Sequence, residues 1–456
     1  MSTDGRPDLD SIINRARTSG FQTVIIALCT AVMIVDGFDT QAISFVAPAI
    51  AAAWHVPHSS FGLVFGIGLF GGLVGAVCSG VVADRIGRKP TLMMAVLLFG
   101  VASLATPFAS SMGMLSLIRF ITGLGVGGAL PGAIVLAAEY APRRSRATVT
   151  TVTFCGIPLG SVLGSVLASQ LIPAYGWGSI FVVGGVLPLL LLPLIAARVP
   201  ESIRFLALKH DEAAIAKLLA RMGVAEELAA QVRIRPDAET RRAPLRSLFT
   251  EGRALGTSLL SVALFLTLLM AFFLVNWIPT LAIRSGIDIS VAMLGVAALN
   301  LGGILGSLVI SRFSHRWAPG MVISLGYALG AVAIACVGQA GRSGTWLLIT
   351  AFVAGFLAIG AQMCMASLLA IYYDTGLRAS GVGWGMGCGR VGGIIGPVIG
   401  GMLLAASVST GAIFLIAGLV CAACAVTVFT MGRLVLRPRR ERAAQLDVAP
   451  NTAPSS

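Results

Sequence analysis

The chain has 456 residues, of which 57% are hydrophobic and only 11% are charged. Soluble proteins average about 45–50% apolar and about 25% charged residues, so this composition excludes a soluble globular domain, a disordered chain and a disulfide-stapled secreted module. The net charge is +13. This charge indicates nucleic-acid binding only if the basic residues are not simply those of the loops on one side of a membrane.

Twelve apolar stretches are near or above the roughly 20 residues that a helix needs to cross a bilayer. They lack the short alternating pattern of an outer-membrane barrel, so we predict an all-α membrane protein with twelve transmembrane helices. Predicted helices 1 to 12 cover residues 22–48, 60–83, 91–110, 112–138, 148–171, 178–198, 254–282, 290–310, 320–339, 344–370, 379–405 and 410–434. The first is too long for the apolar core of a signal peptide, so we expect it to be retained.

Basic residues collect in the loops after even-numbered helices. These loops carry Arg85, Arg88, Lys89, Arg143, Arg144, Arg146, Arg312, Arg316 and Arg378, whereas the opposite loops carry only Arg284 and Arg342. Basic loops stay in the cytoplasm, so we expect both termini inside and a multi-pass protein of the bacterial inner membrane. The positive charge then reflects topology and contact with anionic lipid, and no nucleic-acid partner is expected.

The polar segment 199–253 divides the chain into two sets of six helices. Within it, Asp211 is expected to cap a short amphipathic helix over 213–221 that clamps the bundle. The predicted organisation is a cytoplasmic tail (1–21), an N-terminal six-helix bundle (22–198), a cytoplasmic linker with short amphipathic helices (199–253), a C-terminal six-helix bundle (254–435) and a disordered cytoplasmic tail (436–456).

The two halves resemble each other in sequence. Gly71–Gly75 in helix 2 matches Gly302–Gly306 in helix 8, and Cys155-Gly156 in helix 5 matches Cys388-Gly389 in helix 11. Such duplication in a membrane protein is typical of a transporter whose site lies between the halves near the midplane.

The strongest motif runs from Gly80 to Lys89, between helices 2 and 3. We expect Gly80 to permit close packing and Asp84 to lie at a helix N-terminus or pair with an arginine. Asp84, Arg85, Gly87 and Arg88 would then latch one conformation. The motif resembles the loop 2–3 signature of the major facilitator superfamily, which implies a fold of two six-helix bundles. His315 stands at the acidic position of the second copy, which argues against a symmetric latch.

Three charged residues lie inside the apolar spans of the first half. Asp36 and Asp39 share one face of helix 1, and Arg119 lies in helix 4 within a motif that also resembles the superfamily. Asp36 is about 21 Å from the cytoplasmic edge, and Arg119 falls at nearly the same depth. We therefore predict an ion pair between helices 1 and 4 with a role in proton coupling, without deciding which acid takes part. The alternatives are an outward-snorkelling Arg119 and a structural polar pair near the outer interface.

Arg390 lies about 17 Å deep in helix 11, and the predicted helices of the second half contain no acid. Its planar fork matches a carboxylate, so Arg390 is the predicted substrate anchor. Pairing with Asp36 or Asp39 across the cavity is the alternative. Further predicted substrate-binding residues, although each alone is more often plain packing, are Phe38, Asn276, Trp277, Gln362 and Trp384. Phe38 and Trp384 could face the cavity, where aromatic side chains suit a flat ring by offset stacking.

Several motifs together narrow the family. Asp-Gly-Phe-Asp-Thr-Gln in helix 1, Pro-Glu-Ser-Ile-Arg-Phe after helix 6, Asn-Trp-Ile-Pro in helix 7 and Gly-Arg in helix 11 resemble the aromatic acid:proton symporters, which include 4-hydroxybenzoate and protocatechuate permeases. The resemblance covers nearly the whole chain. It implies that Asp36 and Asp39 are essential, that helix 11 contributes to substrate binding, and that the protein is a monomer. The hypothesis is uptake of an aromatic acid anion with protons by alternating access.

Two other functions remain open. A proton-driven exporter of drug-like or other organic compounds is less favoured, because helix 5 departs from the glycine-proline motif of such exporters. A transporter-like sensor of aromatic acids lacks a recognisable signalling domain. No nucleophile, metal or nucleotide motif is present, so neither an enzyme nor a cofactor is expected. The eight cysteines all fall in predicted helices without zinc-site spacing, which predicts free, buried thiols.

Overall fold

A computed structural model describes residues 19–142, 144–222 and 244–436, except the side chains of His315, Thr375 and Ala379. Over these ranges the chain forms helices and no strand, and twelve helices are long and apolar enough to cross a membrane. The predicted all-α fold with twelve membrane helices is confirmed. Arg143, most of the predicted N-terminal tail and nearly all of the predicted C-terminal tail lie outside the described residues.

We number the membrane helices α1 to α12 in chain order. Their bounds are Gly20–Trp54 (α1), Phe61–Ile86 (α2), Arg88–Ala105 (α3), Met112–Glu139 (α4), Arg146–Phe154 and Gly156–Tyr175 (α5), Gly178–Arg198 (α6), Ala254–Arg284 (α7), Ile289–Arg316 (α8), Pro319–Val337 (α9), Gly344–Ala354 and Gly360–Tyr372 (α10, joined by the π-helical turn Gly355–Ile359), Thr375–Ala405 (α11) and Thr410–Met431 (α12).

Serine side chains mark several helix starts, because a hydroxyl oxygen can accept one of the free N–H groups of the first turn. Serines cap the first turns of α1, α4, α10 and α12. Helix α1 continues beyond its predicted end at 48 to Trp54 and passes through Pro48. Proline is tolerated inside membrane helices where neighbouring groups satisfy the freed backbone carbonyl, so it does not end the helix here.

The helices fall into two compact units. The first, unit 1, comprises Met1–Thr240 together with Val275–Asn300 and Pro397–Ser407, and the second, unit 2, comprises Arg241–Leu274, Leu301–Gly396 and Val408–Ser456. Unit 1 thus includes parts of α7, α8 and α11 together with the N-terminal helices.

The repeated glycines perform the same packing task in each unit. A Cβ at Gly71 or Gly75 of α2 would collide with the α4 backbone, and a Cβ at Gly302 or Gly306 of α8 would collide with the α10 backbone. Small residues let membrane helices approach closely. The internal sequence match therefore corresponds to equivalent helix pairs, α2 with α4 and α8 with α10.

The described part of the linker contains the short helices Ile203–Leu208 and Glu212–Arg221. The Asp211 side chain accepts a hydrogen bond from the Ala214 N–H at 3.0 Å, which is the predicted cap. Ile215, Leu218 and Leu219 are buried in the apolar core of unit 1. These two short helices are therefore packed into unit 1 rather than forming a loose connection.

All eight cysteines are free thiols, as predicted, but not all are buried. Cys29, Cys364, Cys421 and Cys424 are buried, whereas Cys78 is exposed. The prediction of a buried thiol is wrong for Cys78, whose side chain is exposed on α2.

Candidate functional site

The candidate site in unit 1 is a buried ion pair between α1 and α4. Asp39 lies in the middle of α1, and Arg119 lies about two turns into α4. Nη1 of Arg119 is 3.7 Å from Oδ2 of Asp39, and the two side chains are only 4% and 1% exposed. The predicted pair between helices 1 and 4 is thus present, and Asp39 is the acid that forms it.

Each member of the pair has further partners. The Ser103 hydroxyl of α3 donates to Oδ1 of Asp39, and Nη2 of Arg119 donates to the Thr106 hydroxyl oxygen. The Arg119 guanidinium also lies over the Phe181 ring of α6, with Cζ 4.6 Å from the ring centroid. Charge-assisted hydrogen bonds are usually about 2.7–2.9 Å, so the two charges attract each other without direct hydrogen bonding. Each is held by its own neighbours.

Phe38 belongs to the packing around this pair. A Cβ at Gly164 of α5 or at Gly184 of α6 would lie 3.0 and 3.1 Å from the Phe38 ring, and the side chain is only 2% exposed. The ring fills the space where α5 and α6 meet α1.

Asp36 occupies a different environment one turn earlier in α1. It is 2% exposed, and its Oδ1 accepts a hydrogen bond from the Thr40 hydroxyl at 3.2 Å. The salt bridge to Arg119 is made by Asp39. The two acids of helix 1 are therefore not equivalent, although their spacing places them on the same face.

Two of the predicted ligand residues lie in α7 and pack within unit 1. Asn276 and Trp277 are both buried. The Trp277 Nε1–H donates to the Pro397 carbonyl oxygen at 3.0 Å, and the indole meets the Phe65 ring edge-on at 5.4 Å between centroids. The polar contact of Trp277 is therefore made with α11, and an aromatic contact is made with α2.

The other predicted ligand residues lie in unit 2. Arg390 of α11 and Gln362 of α10 are both half-buried. Trp384 of α11 is half-buried too, its Nε1–H donating to the Ser261 hydroxyl at 3.0 Å and its ring meeting Phe249 edge-on at 5.7 Å. Trp384 is thus held against α7.

The loop 2–3 motif is built differently from the prediction. Asp84 is exposed in the last turn of α2, so it does not cap a helix, and a Cβ at Gly80 would meet open space. The acid at the start of α3 is Glu201, whose Oε1 accepts from the N–H groups of Arg88 at 2.8 Å and Lys89 at 3.1 Å. A carboxylate at a helix N-terminus is favoured by the free N–H groups and the helix dipole.

A second acid, Glu139 at the end of α4, completes this cluster. Its carboxylate forms an ion pair with Arg88 and accepts from the Ser202 hydroxyl at 2.6 Å. The Tyr140 hydroxyl donates to the Glu201 carbonyl oxygen at 2.6 Å. Burial, together with the carboxylates of Glu139 and Glu201, raises the pKa of Tyr140, so the phenol remains a donor at neutral pH. Sequence reasoning missed both acids, although Glu201 belongs to the Pro-Glu-Ser-Ile-Arg-Phe motif.

Gly87 separates α2 from α3 with φ of 102°, a conformation that favours glycine, and a Cβ there would collide with the Glu201 carboxylate. Glu201 therefore reaches α3 only because this position lacks a side chain.

Glu201→Ala is expected to lower the free energy of unfolding by about 1–2 kcal/mol, because two N–H groups of α3 lose their acceptor. Glu201→Gln keeps an acceptor oxygen and is expected to lose less. Thermal unfolding of the purified protein in detergent measures the difference. The matched control is Glu212→Ala, an exposed acid in the first turn of a linker helix. Equal midpoints for Glu201→Ala and the control would contradict the capping role.

The chain is similar to membrane transporters in three comparisons: with a family model, with sequence relatives and with solved structures. A family model described as Major Facilitator Superfamily matches residues 29–384 and 260–455. The gallate transporter of Pseudomonas putida is 35% identical over 435 residues, which are 95% of this chain and 97% of the relative. The 4-hydroxybenzoate transporter of Pseudomonas putida is 38% identical over 402 residues, covering 87% and 89%. Among solved structures, a D-xylose-proton symporter has a TM-score of 0.68 at 19% identity, covering 90% of this chain and 98% of that one.

Proposed function

The chain belongs to the major facilitator superfamily, and we propose that it takes up aromatic carboxylates, such as 4-hydroxybenzoate or related hydroxybenzoates, together with protons by alternating access. The proposed setting is the bacterial inner membrane with both termini in the cytoplasm. Relatives named as gallate and 4-hydroxybenzoate transporters, aligned over most of their length, support the substrate class. The buried Asp39–Arg119 pair is the observation that supports proton coupling.

Asp39 is proposed to be the residue that binds and releases the proton. A carboxylate buried in a membrane helix is costly unless it is paired or protonated, so it alternates between those two states. When Asp39 is ionised, Arg119 balances its charge. When Asp39 is protonated, Arg119 keeps the Thr106 oxygen and the Phe181 ring as partners. The transition therefore leaves neither group without an interaction, which supports reversible proton exchange.

Arg390 is proposed to bind the carboxylate of the substrate. It lies in α11 and is half-buried, and its planar guanidinium matches the two oxygens of a carboxylate. Gln362 is proposed to contact the aromatic ring substituents through its amide. Further proposed substrate-binding residues are Trp384 of unit 2 and, in unit 1, Phe38, Asn276 and Trp277.

The cluster that begins at Gly87 is proposed to act as a conformational latch. Arg88 joins α3 to Glu139 of α4, and Glu201 joins α3 to the linker. Asp84 and Arg85 are exposed beside it and remain available for other contacts during the transport cycle. Several charged contacts therefore meet at the short turn between α2 and α3, which supports a latch at this point.

Uptake of radiolabelled 4-hydroxybenzoate into proteoliposomes, with and without an inward proton gradient, tests this function. A gradient of one pH unit is worth about 1.4 kcal/mol per proton, so accumulation of about tenfold per coupled proton is expected. Accumulation without a gradient would contradict the coupling. Substrate leaving the vesicles against its gradient would indicate an exporter, and saturable binding without transport would indicate a sensor.

A further inference from the structure

We propose that Ser103 and Thr106 of the third membrane segment are positioning residues that set the pH at which Asp39 exchanges its proton. Ser103 holds the ionised carboxylate, and Thr106 holds the Arg119 guanidinium away from it. The inference rests on the proposed function, because it assumes that Asp39 carries the coupled proton. Neither hydroxyl carries a charge or belongs to a recognised motif, and both are 0% exposed.

The local structure brings both hydroxyls to the pair. Ser103 lies in the last turn of α3, and Thr106 opens the 3₁₀ turn Thr106–Phe108 that follows directly. Residues three apart lie on the same side of a helix, so the two hydroxyls face the α1–α4 pair together. One contacts the acid and the other contacts the base.

Ser103 can serve both protonation states of Asp39. In the ionised state its single O–H proton is donated to Oδ1. A hydroxyl also has two acceptor lone pairs, so after rotation it can accept a hydrogen bond from the protonated carboxyl group. Donation to a carboxylate favours the ionised form. Removal of the hydroxyl therefore makes protonation easier and shifts it to higher pH.

Thr106 acts on the other member of the pair. Its own O–H donates to the Ala102 carbonyl oxygen at 3.1 Å, which leaves the lone pairs of its oxygen for Nη2 of Arg119. The Phe181 ring holds the guanidinium on another side. Together they keep Nη1 at 3.7 Å from Asp39, beyond hydrogen-bond distance. Without the Thr106 oxygen, Arg119 can close on the carboxylate, which favours the ionised form and shifts protonation to lower pH.

The charged surroundings of Asp39 are simple. Arg119 faces it from α4, and Asp36 lies one turn away on α1. Helix α3 presents the Ser103 hydroxyl, α6 presents Gly184, and α5 contacts Phe38 through Gly164. Within the described ranges, Arg119 is the one residue that forms a salt bridge with Asp39. The two hydroxyls are therefore the neutral groups best placed to bias this pair.

The test compares Ser103→Ala with Thr106→Val in proteoliposomes. The initial rate of 4-hydroxybenzoate uptake is measured against external pH, with the internal pH held constant. We expect the pH of half-maximal uptake to move up by about one unit in Ser103→Ala and down by a similar amount in Thr106→Val. Opposite shifts distinguish positioning of the pair from general damage to the fold.

Matched controls come from the same unit. Ser165→Ala removes a buried hydroxyl that donates to its own helix at the Ser161 carbonyl oxygen, and Thr122→Val removes one that donates to Ile118. Both controls are expected to keep the wild-type pH midpoint. Unchanged midpoints in the two test variants, or shifts in the same direction, would overturn the inference. A wild-type protein that shows no proton dependence at all would instead overturn the proposed function.

Discussion

Asp39→Asn is expected to abolish accumulation of 4-hydroxybenzoate driven by a proton gradient, with a loss of at least about tenfold per coupled proton. The amide cannot bind the coupled proton, but it has nearly the same shape and can still accept from Ser103. Exchange of internal unlabelled for external labelled substrate requires no net proton movement, so it is expected to continue. Proteoliposome accumulation and exchange, measured on the same preparation, check both outcomes.

This variant also leaves Arg119 without its counter-ion, and breaking a buried pair typically costs about 3–5 kcal/mol. Thr106 and Phe181 keep part of the guanidinium interaction, so we expect a cost at the lower end. The matched control is Asp288→Asn, an exposed acid whose Oδ1 accepts from the Ser290 N–H at 2.8 Å and whose asparagine variant can do the same. Wild-type accumulation in Asp39→Asn would contradict the assignment of the proton site.

The sequence predicted the existence of the pair because charge inside a bilayer is rare and requires compensation. The fixed rise of a helix converts residue counts into depth, which placed Arg119 level with the acids of helix 1. The sequence could not show whether Asp36 or Asp39 forms the ion pair with Arg119, since both acids lie on one face of the helix. Tertiary contacts distinguish the two acids: Ser103 donates to Asp39, and Gly184 lets α6 approach the same carboxylate.

The neutral residues around the site were not predictable from sequence. Serine and threonine are common in membrane helices and usually bond to their own backbone, as Ser165 does. Ser103 and Thr106 differ only in what lies opposite them. The contact of Glu201 was not predictable for a similar reason. Glu201 accepts a hydrogen bond from the N–H of Arg88, which lies 113 residues away in sequence, and no local pattern connects the two.

The aromatic residues illustrate a second limit of sequence reasoning. An indole can stack on a ligand or fill a helix interface, and its spacing along a helix is the same in both cases. The contacts of Trp277 with Phe65 and Pro397 assign it to packing.

Arg390→Gln is expected to raise the KM for 4-hydroxybenzoate by about 10- to 100-fold. A charged hydrogen bond to a carboxylate contributes about 1.5–3 kcal/mol, and each 1.4 kcal/mol corresponds to a factor of ten. Arg390→Lys keeps the charge but loses the two-pronged geometry that fits a carboxylate, so an intermediate KM is expected. The concentration dependence of uptake at a fixed proton gradient measures both variants.

A comparison of a charged with an uncharged substrate separates loss of carboxylate binding from loss of structure. If Arg390 holds the carboxylate, Arg390→Gln should lose its preference for 4-hydroxybenzoate over the uncharged 4-hydroxybenzamide, measured as competition for uptake. Arg312→Gln, which removes an exposed arginine of α8 in the same unit, should keep both the KM and this preference. An unchanged KM in Arg390→Gln, or an equal loss in Arg312→Gln, would contradict the anchor. The planar guanidinium can donate two parallel hydrogen bonds to a carboxylate, which is the geometric basis of the expected difference between Arg390→Gln and Arg390→Lys.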